Sequence, residues 1–159
     1  MEQKLLVGWA ERDVTPDRAV NLMGQVHMRI TQEVKDPLTV TALALAREGA
    51  APGAAVVFLS ADTAHIAFGV NQQIQQIVER QIPELATEQI IIHATHTHTA
   101  PMLTDDCYPP APTGVMTGKE YADFFTARAA EAIVAAWRNR RPAQVSWGLG
   151  QAVVGRNRR

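Results

Sequence analysis

Residues 90–101 read Ile-Ile-Ile-His-Ala-Thr-His-Thr-His-Thr-Ala-Pro, an apolar run that passes directly into three histidines. The three isoleucines predict a β-strand whose end carries the histidine-rich part. Because strand side chains alternate between faces, His96 and His98 are expected to point the same way and His93 the opposite way. Two imidazoles on one side of a strand end can bind a divalent metal.

The sequence before this run predicts the rest of a βαβ unit. Residues 54–60 form a short, nearly continuous apolar run that is typical of a buried strand. A helix is expected to start at Asp62 or Thr63 and to run to about Gln81. Two strands joined in this way pair in parallel with a right-handed crossover. Asp62 and the histidines would then share the carboxyl edge of the sheet, where α/β proteins bind ligands.

Four further elements complete an α/β fold with a mixed β-sheet and two main flanking helices. Residues 5–14 predict a first strand, and residues 38–43 predict a second that forms an antiparallel hairpin with the strand at 54–60. Thr117-Gly118-Lys119-Glu120 has the form of a capping box, which predicts the start of the second helix. Val145–Val154 predicts a last strand.

Composition narrows the class of protein. The chain has 159 residues, enough for one domain with a sizeable core, and 47% of them are hydrophobic. The formal net charge of −1 gives no reason to expect nucleic acid or an anionic membrane as a partner. A single cysteine, Cys107, excludes an internal disulfide and a Cys-based zinc site. We find no transmembrane segment and no signal peptide, and therefore expect a cytoplasmic protein.

The end of the chain predicts that more protein follows. Strand-like sequence at Val145–Val154 is followed by only five residues, without a polar tail or a covering helix. Proteins usually cover such a sheet edge. We therefore expect residues 1–159 to be the incomplete N-terminal part of a larger domain, whose missing C-terminal part is a partner of this chain.

Several polar residues have both a functional and a structural interpretation. His96 and His98 either take part in a zinc site or are hydrogen-bonded rings at a strand end, and no third ligand is obvious. Asp62 can orient a ligating histidine or can cap the helix behind it. The carboxylates at 105–106 can reach the site or remain solvated. Arg158 can hold a substrate carboxylate, can stabilise an oxyanion, or can be a solvated charge.

Four segments together resemble the neutral/alkaline (non-lysosomal) ceramidase family, in the N-terminal part of its catalytic domain. They are, in chain order, Gly8–Pro16, Met23-Gly24, Ala94–Pro101 and Arg156-Asn157-Arg158. Ala94–Pro101 is similar to the family signature Thr-His-Thr-His-Ser-Gly-Pro, although Thr99-Ala100 replaces the Ser-Gly. The resemblance covers nearly the whole chain.

This resemblance implies a zinc-dependent hydrolase of amide (N-acyl) bonds. His96 would bind Zn²⁺, His98 would lie beside the metal and contact the substrate or the reacting oxygen, and Arg158 would be a cation near the amide. Asp62 and Gly24 would support the site or its substrate loop. The substrate would be a small-molecule or lipid-like amide, and not necessarily ceramide.

The family's remaining zinc ligands, a second His, a Glu and a Tyr, come after the part of the sequence that this chain resembles. The isolated chain is therefore expected to be inactive. The alternative interpretation is a non-catalytic α/β fragment or degenerate relative that does not bind metal tightly.

Overall fold

A computed structural model describes residues 4–49 and 53–154, which form a five-stranded sheet, a two-stranded ribbon and two helices. The strands are β1 (Leu5–Asp13), β2 (Val20–Asn21), β3 (Ile30–Thr31), β4 (Thr39–Arg47), β5 (Ala55–Ala61), β6 (Ile90–Ala94) and β7 (Arg141–Ala143). The helices are α1 (Phe68–Gln81) and α2 (Gly118–Arg138). Within the described part of the chain, no helix combines the length and apolar character that crossing a membrane requires.

The main sheet is mixed, and its strand order is β6-β5-β4-β1-β7. Strands β5 and β6 pair in parallel across α1, whereas the remaining neighbours are antiparallel. The predicted βαβ unit and the β4–β5 hairpin are therefore confirmed. The ribbon of β2 and β3 is a separate sheet. Leu22, which follows β2, forms an isolated β-bridge with Pro101 in the segment after the histidines.

Both helices and one face of the main sheet enclose the core. The sheet contributes alternating residues of its central strands, and the helices contribute side chains at helical spacing: Val40, Ala42, Ala44, Val57, Leu59, Val70, Ile74, Val78, Phe125, Ala129 and Ile133. Gly8 allows β1 and α2 to approach closely, since a Cβ there would lie 1.9 Å from the carbonyl oxygen of Ala136. Gly8 thus brings α2 directly against β1.

The start of α2 is fixed by two sets of hydrogen bonds. The capping box is confirmed, because the Thr117 hydroxyl accepts from the Glu120 amide at 3.1 Å and the Glu120 carboxylate accepts from the Thr117 amide at 2.8 Å. The Asp105 carboxylate accepts from the amides of Gly118 and Lys119 at 2.6 and 3.1 Å. Asp105 thus caps a helix.

Helix α1 begins six residues later than Asp62, so the expected helix start and the helix-capping interpretation of Asp62 are both wrong. The intervening segment bends at residues 62–64 and is bonded to its neighbours. The Asp62 amide donates to the Thr39 carbonyl at 2.9 Å, and the Thr63 carbonyl accepts from the His96 amide at 3.0 Å. These bonds to the strand ends replace the first helical turn.

The expected strand at Val145–Val154 is also wrong. The last strand is β7, which pairs with Leu5–Val7 and ends at Ala143. Beyond it Trp147 and Leu149 are 91% and 97% exposed and have no strand beside them within the described residues. Alternation of apolar and polar residues leads to a strand only where a neighbouring strand supplies hydrogen bonds. The sequence pattern does not show whether such a neighbour is present.

Candidate metal and active site

The candidate site lies at the carboxyl ends of β5 and β6, as the βαβ unit predicts. Asp62 follows β5, and its carboxylate connects three strand ends. One oxygen accepts from the Thr39 amide at 3.0 Å and from the Thr39 hydroxyl at 3.1 Å. The other accepts from the Thr95 hydroxyl at 3.2 Å. Asp62 thus fixes the backbone from which the histidine segment departs, through Thr95.

His96 leaves the strand in a left-handed backbone conformation. Strand β6 ends at Ala94, and His96 has φ = +62°, the only positive φ of a non-glycine residue among those described. Its Nδ1 lies 2.6 Å from the Ala64 carbonyl oxygen. Because a carbonyl only accepts, Nδ1 carries the proton, and the lone pair of neutral His96 is on Nε2. A carbonyl rather than a carboxylate thus orients this ring, and its Nε2 is available for a metal.

A turn brings the His98 ring to the His96 ring. The alternation of side chains along a strand does not. Their Nε2 atoms are 3.2 Å apart, and the rings are edge-on with centroids separated by 4.8 Å. Two nitrogens that bind one tetrahedral zinc at about 2.05 Å lie about 3.3 Å apart. The observed separation fits a shared zinc ion. It equally fits a hydrogen bond in which His98 donates to His96.

Gly24 provides the space that the His98 ring occupies. Its φ is +93°, and a Cβ there would lie 2.5 Å from Cγ and Nδ1 of that ring. The segment around Gly24 is bonded to the histidine loop, since the Met23 amide donates to the Ala100 carbonyl at 3.0 Å. The Met-Gly pair singled out in the sequence therefore packs directly on one of the two candidate histidines.

Arg29 is a supporting residue that sequence reasoning missed. Its Nη2 donates to the His98 carbonyl oxygen, and its backbone amide donates to the Asn21 side chain at 3.0 Å. Asn21 in turn accepts from the Met102 amide through its carbonyl at 3.1 Å. No sequence signal identifies this role, because Arg29 and His98 are 69 positions apart and meet only when the ribbon folds over the loop.

The described residues do not complete a zinc site. In the ranges 4–49 and 53–154, no three His, Cys, Asp or Glu side chains lie close enough together to bind one metal. The Asp106 carboxylate accepts from the Thr104 hydroxyl at 2.7 Å, and Asp105 caps α2. Arg158, the expected active-site cation, lies outside the described residues. The site therefore has two imidazole nitrogens that fit zinc, and further ligands would have to come from elsewhere.

A cleft of about 820 Å³ adjoins the histidine segment. Its wall includes Asp62, Thr97 and Thr99 from the strand ends and Arg29 from the ribbon. Apolar side chains line it as well, among them Leu22 and Ile30. The cleft is thus a concave surface of mixed polarity beside Thr97 and Thr99, and neither His96 nor His98 lines it.

Comparison with solved structures identifies the class of fold. The chain aligns with the neutral ceramidase from Pseudomonas aeruginosa over 89% of its length, with a TM-score of 0.74 and 18% sequence identity. It aligns as extensively with a ceramidase complexed with C2, with a TM-score of 0.72 and 16% identity. The chain thus has the fold of part of a ceramidase, which confirms the structural resemblance. No protein-family profile and no curated protein sequence matches it.

The match covers only a part of those proteins. The chain spans 23% of the Pseudomonas aeruginosa structure and 22% of the second structure. It therefore corresponds to less than a quarter of the length of each of these two solved chains.

Proposed function

We propose that this chain is the N-terminal part of a zinc-dependent hydrolase of N-acyl amide bonds, and that residues 1–159 belong to a larger catalytic domain. The observation that carries the proposal is the 3.2 Å separation of the His96 and His98 Nε2 atoms at the carboxyl edge of a ceramidase-like sheet. The proposal rests on this geometry together with the fold.

His96 is the proposed zinc ligand. The Ala64 carbonyl holds its Nδ1 proton, which leaves Nε2 as the donor atom and fixes the orientation of the ring. Zinc, when bound, supplies a Lewis acid that polarises a carbonyl oxygen. The positive φ of His96 fits this role, because strained backbone conformations are concentrated at functional residues.

His98 is the proposed residue that contacts the reacting group. Its Nε2 lies beside that of His96, so a proton on it can be donated to an oxygen of the amide substrate. Gly24 and Arg29 hold this ring and its backbone in place from the ribbon side. In this proposal Arg158 adds a positive charge near the amide, and Asp62 supports the histidine segment through Thr95.

The proposed substrate is a small-molecule or lipid-like amide. The adjoining cleft has apolar side chains beside Thr97, Thr99 and Arg29, a composition that suits an acyl chain next to a polar amide. The remaining zinc ligands are proposed to come from further polypeptide. The isolated 159-residue chain is expected to bind zinc weakly and to lack activity.

A second candidate function is a non-catalytic α/β scaffold. The observation that favours it is the lack of a third potential ligand among the described residues. In that case the two rings share one proton in a hydrogen bond, and the pair stabilises the loop without binding metal.

Zinc titration of the purified chain separates the two candidates. We expect one weak site by isothermal titration calorimetry, with at least a tenfold loss of affinity in His96→Ala, because that variant removes the proposed zinc ligand. His65→Ala is the matched control, since His65 is exposed and its ring has no described bond to the site. Equal zinc affinity in the wild type and His96→Ala would contradict the proposal and favour the scaffold.

A further inference from the structure

The His98 ring lies between the His96 ring and the loop that contains Gly24. Its Nε2 is 3.2 Å from that of His96, and a Cβ on Gly24 would lie 2.5 Å from its Cγ and Nδ1. Arg29 bonds to the backbone carbonyl of His98 and therefore does not fix the ring itself. The position of this ring thus depends on the position of Gly24.

Hydrogen bonds fix the residues on both sides of Gly24. On one side the Met23 amide donates to a carbonyl of the histidine loop at 3.0 Å. On the other side the Tyr108 hydroxyl bonds twice to the backbone of Gln25. It accepts from the Gln25 amide at 3.3 Å and donates to the Gln25 carbonyl. Within the described part of the chain, residues 24–28 form no other hydrogen bond. Tyr108 is therefore the anchor of this loop beyond Gly24.

The backbone around Tyr108 suits an anchor. Pro109 restricts Tyr108 to extended conformations, and the rings of Pro109 and Pro110 fix their own φ angles. Three residues before Tyr108, the Asp105 carboxylate is bonded to the first amides of α2. The Tyr108 hydroxyl is thus carried by a segment whose backbone has little freedom to move.

We infer that Tyr108 is a positioning residue for His98, and that it acts through Gln25 and Gly24. The hydroxyl holds the Gln25 backbone, which keeps Gly24 against the His98 ring and that ring beside His96. This chain of contacts is a property of the fold, and only its consequence for amide hydrolysis rests on the proposed function. In that reaction His98 must face the substrate oxygen, and a ring that swings away from His96 spends less time in that position.

NMR spectroscopy of the full chain without zinc tests the inference. In Tyr108→Phe we expect the ring signals of His98 to shift, because the loop that contains Gly24 loses both of its bonds to Tyr108. We expect the Met23 amide to exchange with solvent about fivefold faster, since a hydrogen bond typically contributes a factor of this size. Circular dichroism verifies that the variant is folded, and His98→Gln assigns the ring signals.

Two variants are matched controls. Tyr121→Phe makes the same chemical change at the only other tyrosine, whose hydroxyl bonds to Val14 and not to the Gly24 loop. Gln25→Ala removes a side chain and keeps the backbone groups that Tyr108 binds. We expect both controls to leave the His98 ring signals in place, although Tyr121→Phe lowers the stability of the fold.

A double variant tests whether Tyr108 acts through Gly24. Gly24→Ala directs a Cβ at the His98 ring, and the clash is most severe while Gln25 is held in place. In Tyr108→Phe the loop can move away from the ring. We therefore expect Gly24→Ala to lower the melting temperature less in the Tyr108→Phe background than in the wild type. Equal losses in the two backgrounds would overturn the path through Gly24.

The ring signals decide on the inference as a whole. Signals of His98 that stay unchanged in Tyr108→Phe, or that shift as much in Gln25→Ala, would overturn it. Failure of the proposed function has a different signature, namely equal zinc affinity in the wild type and His96→Ala. Because the NMR measurement contains no zinc, either idea can fail while the other stands.

Discussion

At the scale of single residues, the position of the two histidines depends on backbone geometry that their spacing does not encode. His96 turns out of β6 with a positive φ, and the Ala64 carbonyl fixes its ring. Gly24 leaves room for His98, and Arg29 bonds to the His98 carbonyl. The sequence identified both histidines and Gly24, but their convergence results from a turn and not from strand alternation.

Replacing Gly24 by alanine is expected to destabilise the chain by about 1–3 kcal/mol and to displace His98. The new Cβ would lie 2.5 Å from the imidazole ring, in a backbone conformation that L side chains rarely adopt. Thermal unfolding measures the first effect, and the NMR signals of the His98 imidazole measure the second. Gly49→Ala is the control, because φ is +66° there and nothing lies within 4 Å. Equal losses in both variants would show that His98 does not need this space.

Tyr121→Phe is expected to lower the free energy of unfolding by about 1–3 kcal/mol. The Tyr121 hydroxyl is buried and donates to the Val14 carbonyl at 2.8 Å, so the variant leaves that oxygen without its donor. Urea unfolding measures the loss. Tyr108→Phe is the comparison variant. The Tyr108 hydroxyl donates to the Gln25 carbonyl, and this tyrosine is less buried than Tyr121.

The same tyrosine predicts a dependence of stability on alkaline pH. Burial raises the pKa of Tyr121 above its ordinary value of 10.0. The unfolded chain therefore loses this proton first, and the stability contributed by Tyr121 is present below pH 10 and is lost as the pH rises beyond it. We expect the wild type to lose stability more steeply above pH 10 than Tyr121→Phe does. Parallel pH profiles of the two proteins would refute this.

At the scale of elements, local signals predicted α2 better than α1. The capping box at Thr117 is contained in four consecutive residues, so the sequence shows the start of α2 directly. The start of α1 depends on bonds from the Asp62 and Thr63 backbone to Thr39 and His96, which are remote in sequence. Val145–Val154 failed as a strand for the same reason, since its pattern does not reveal whether a partner strand is present.

Thr117→Ala is expected to destabilise the chain by about 1 kcal/mol. It removes the oxygen that accepts from the Glu120 amide at 3.1 Å. Thr117→Ser keeps that oxygen and should retain most of the stability, as measured by chemical denaturation. An alanine variant as stable as the serine variant would indicate that Asp105 alone caps α2.

At the scale of the whole molecule, the core includes α2 and excludes the segment after β7. Trp137 is 8% exposed, and its Nε1 donates to Glu84 at 3.0 Å, whereas Trp147 is 91% exposed. The two tryptophans are only ten positions apart in the sequence. Hydrophobicity alone does not distinguish them.

Alanine substitution of these two tryptophans is expected to give opposite results. Trp137→Ala should cost roughly 3–5 kcal/mol, because it empties a packed site between helix and sheet. Trp147→Ala should change the free energy of unfolding by less than about 0.5 kcal/mol. Denaturant titration of both variants measures the difference. A large loss in Trp147→Ala would mean that the segment after β7 packs on the domain.

The sequence by itself determined the class of fold and the sheet edge at which the candidate site lies. Periods of two and 3.6, turn residues and the capping box act over a few neighbouring positions, and they predicted the mixed sheet, the βαβ unit and the histidine edge. Tertiary structure alone decided that the two imidazoles meet and that Arg29 and Ala64 hold them. These features depend on contacts between residues far apart in the chain, which only the folded backbone brings together.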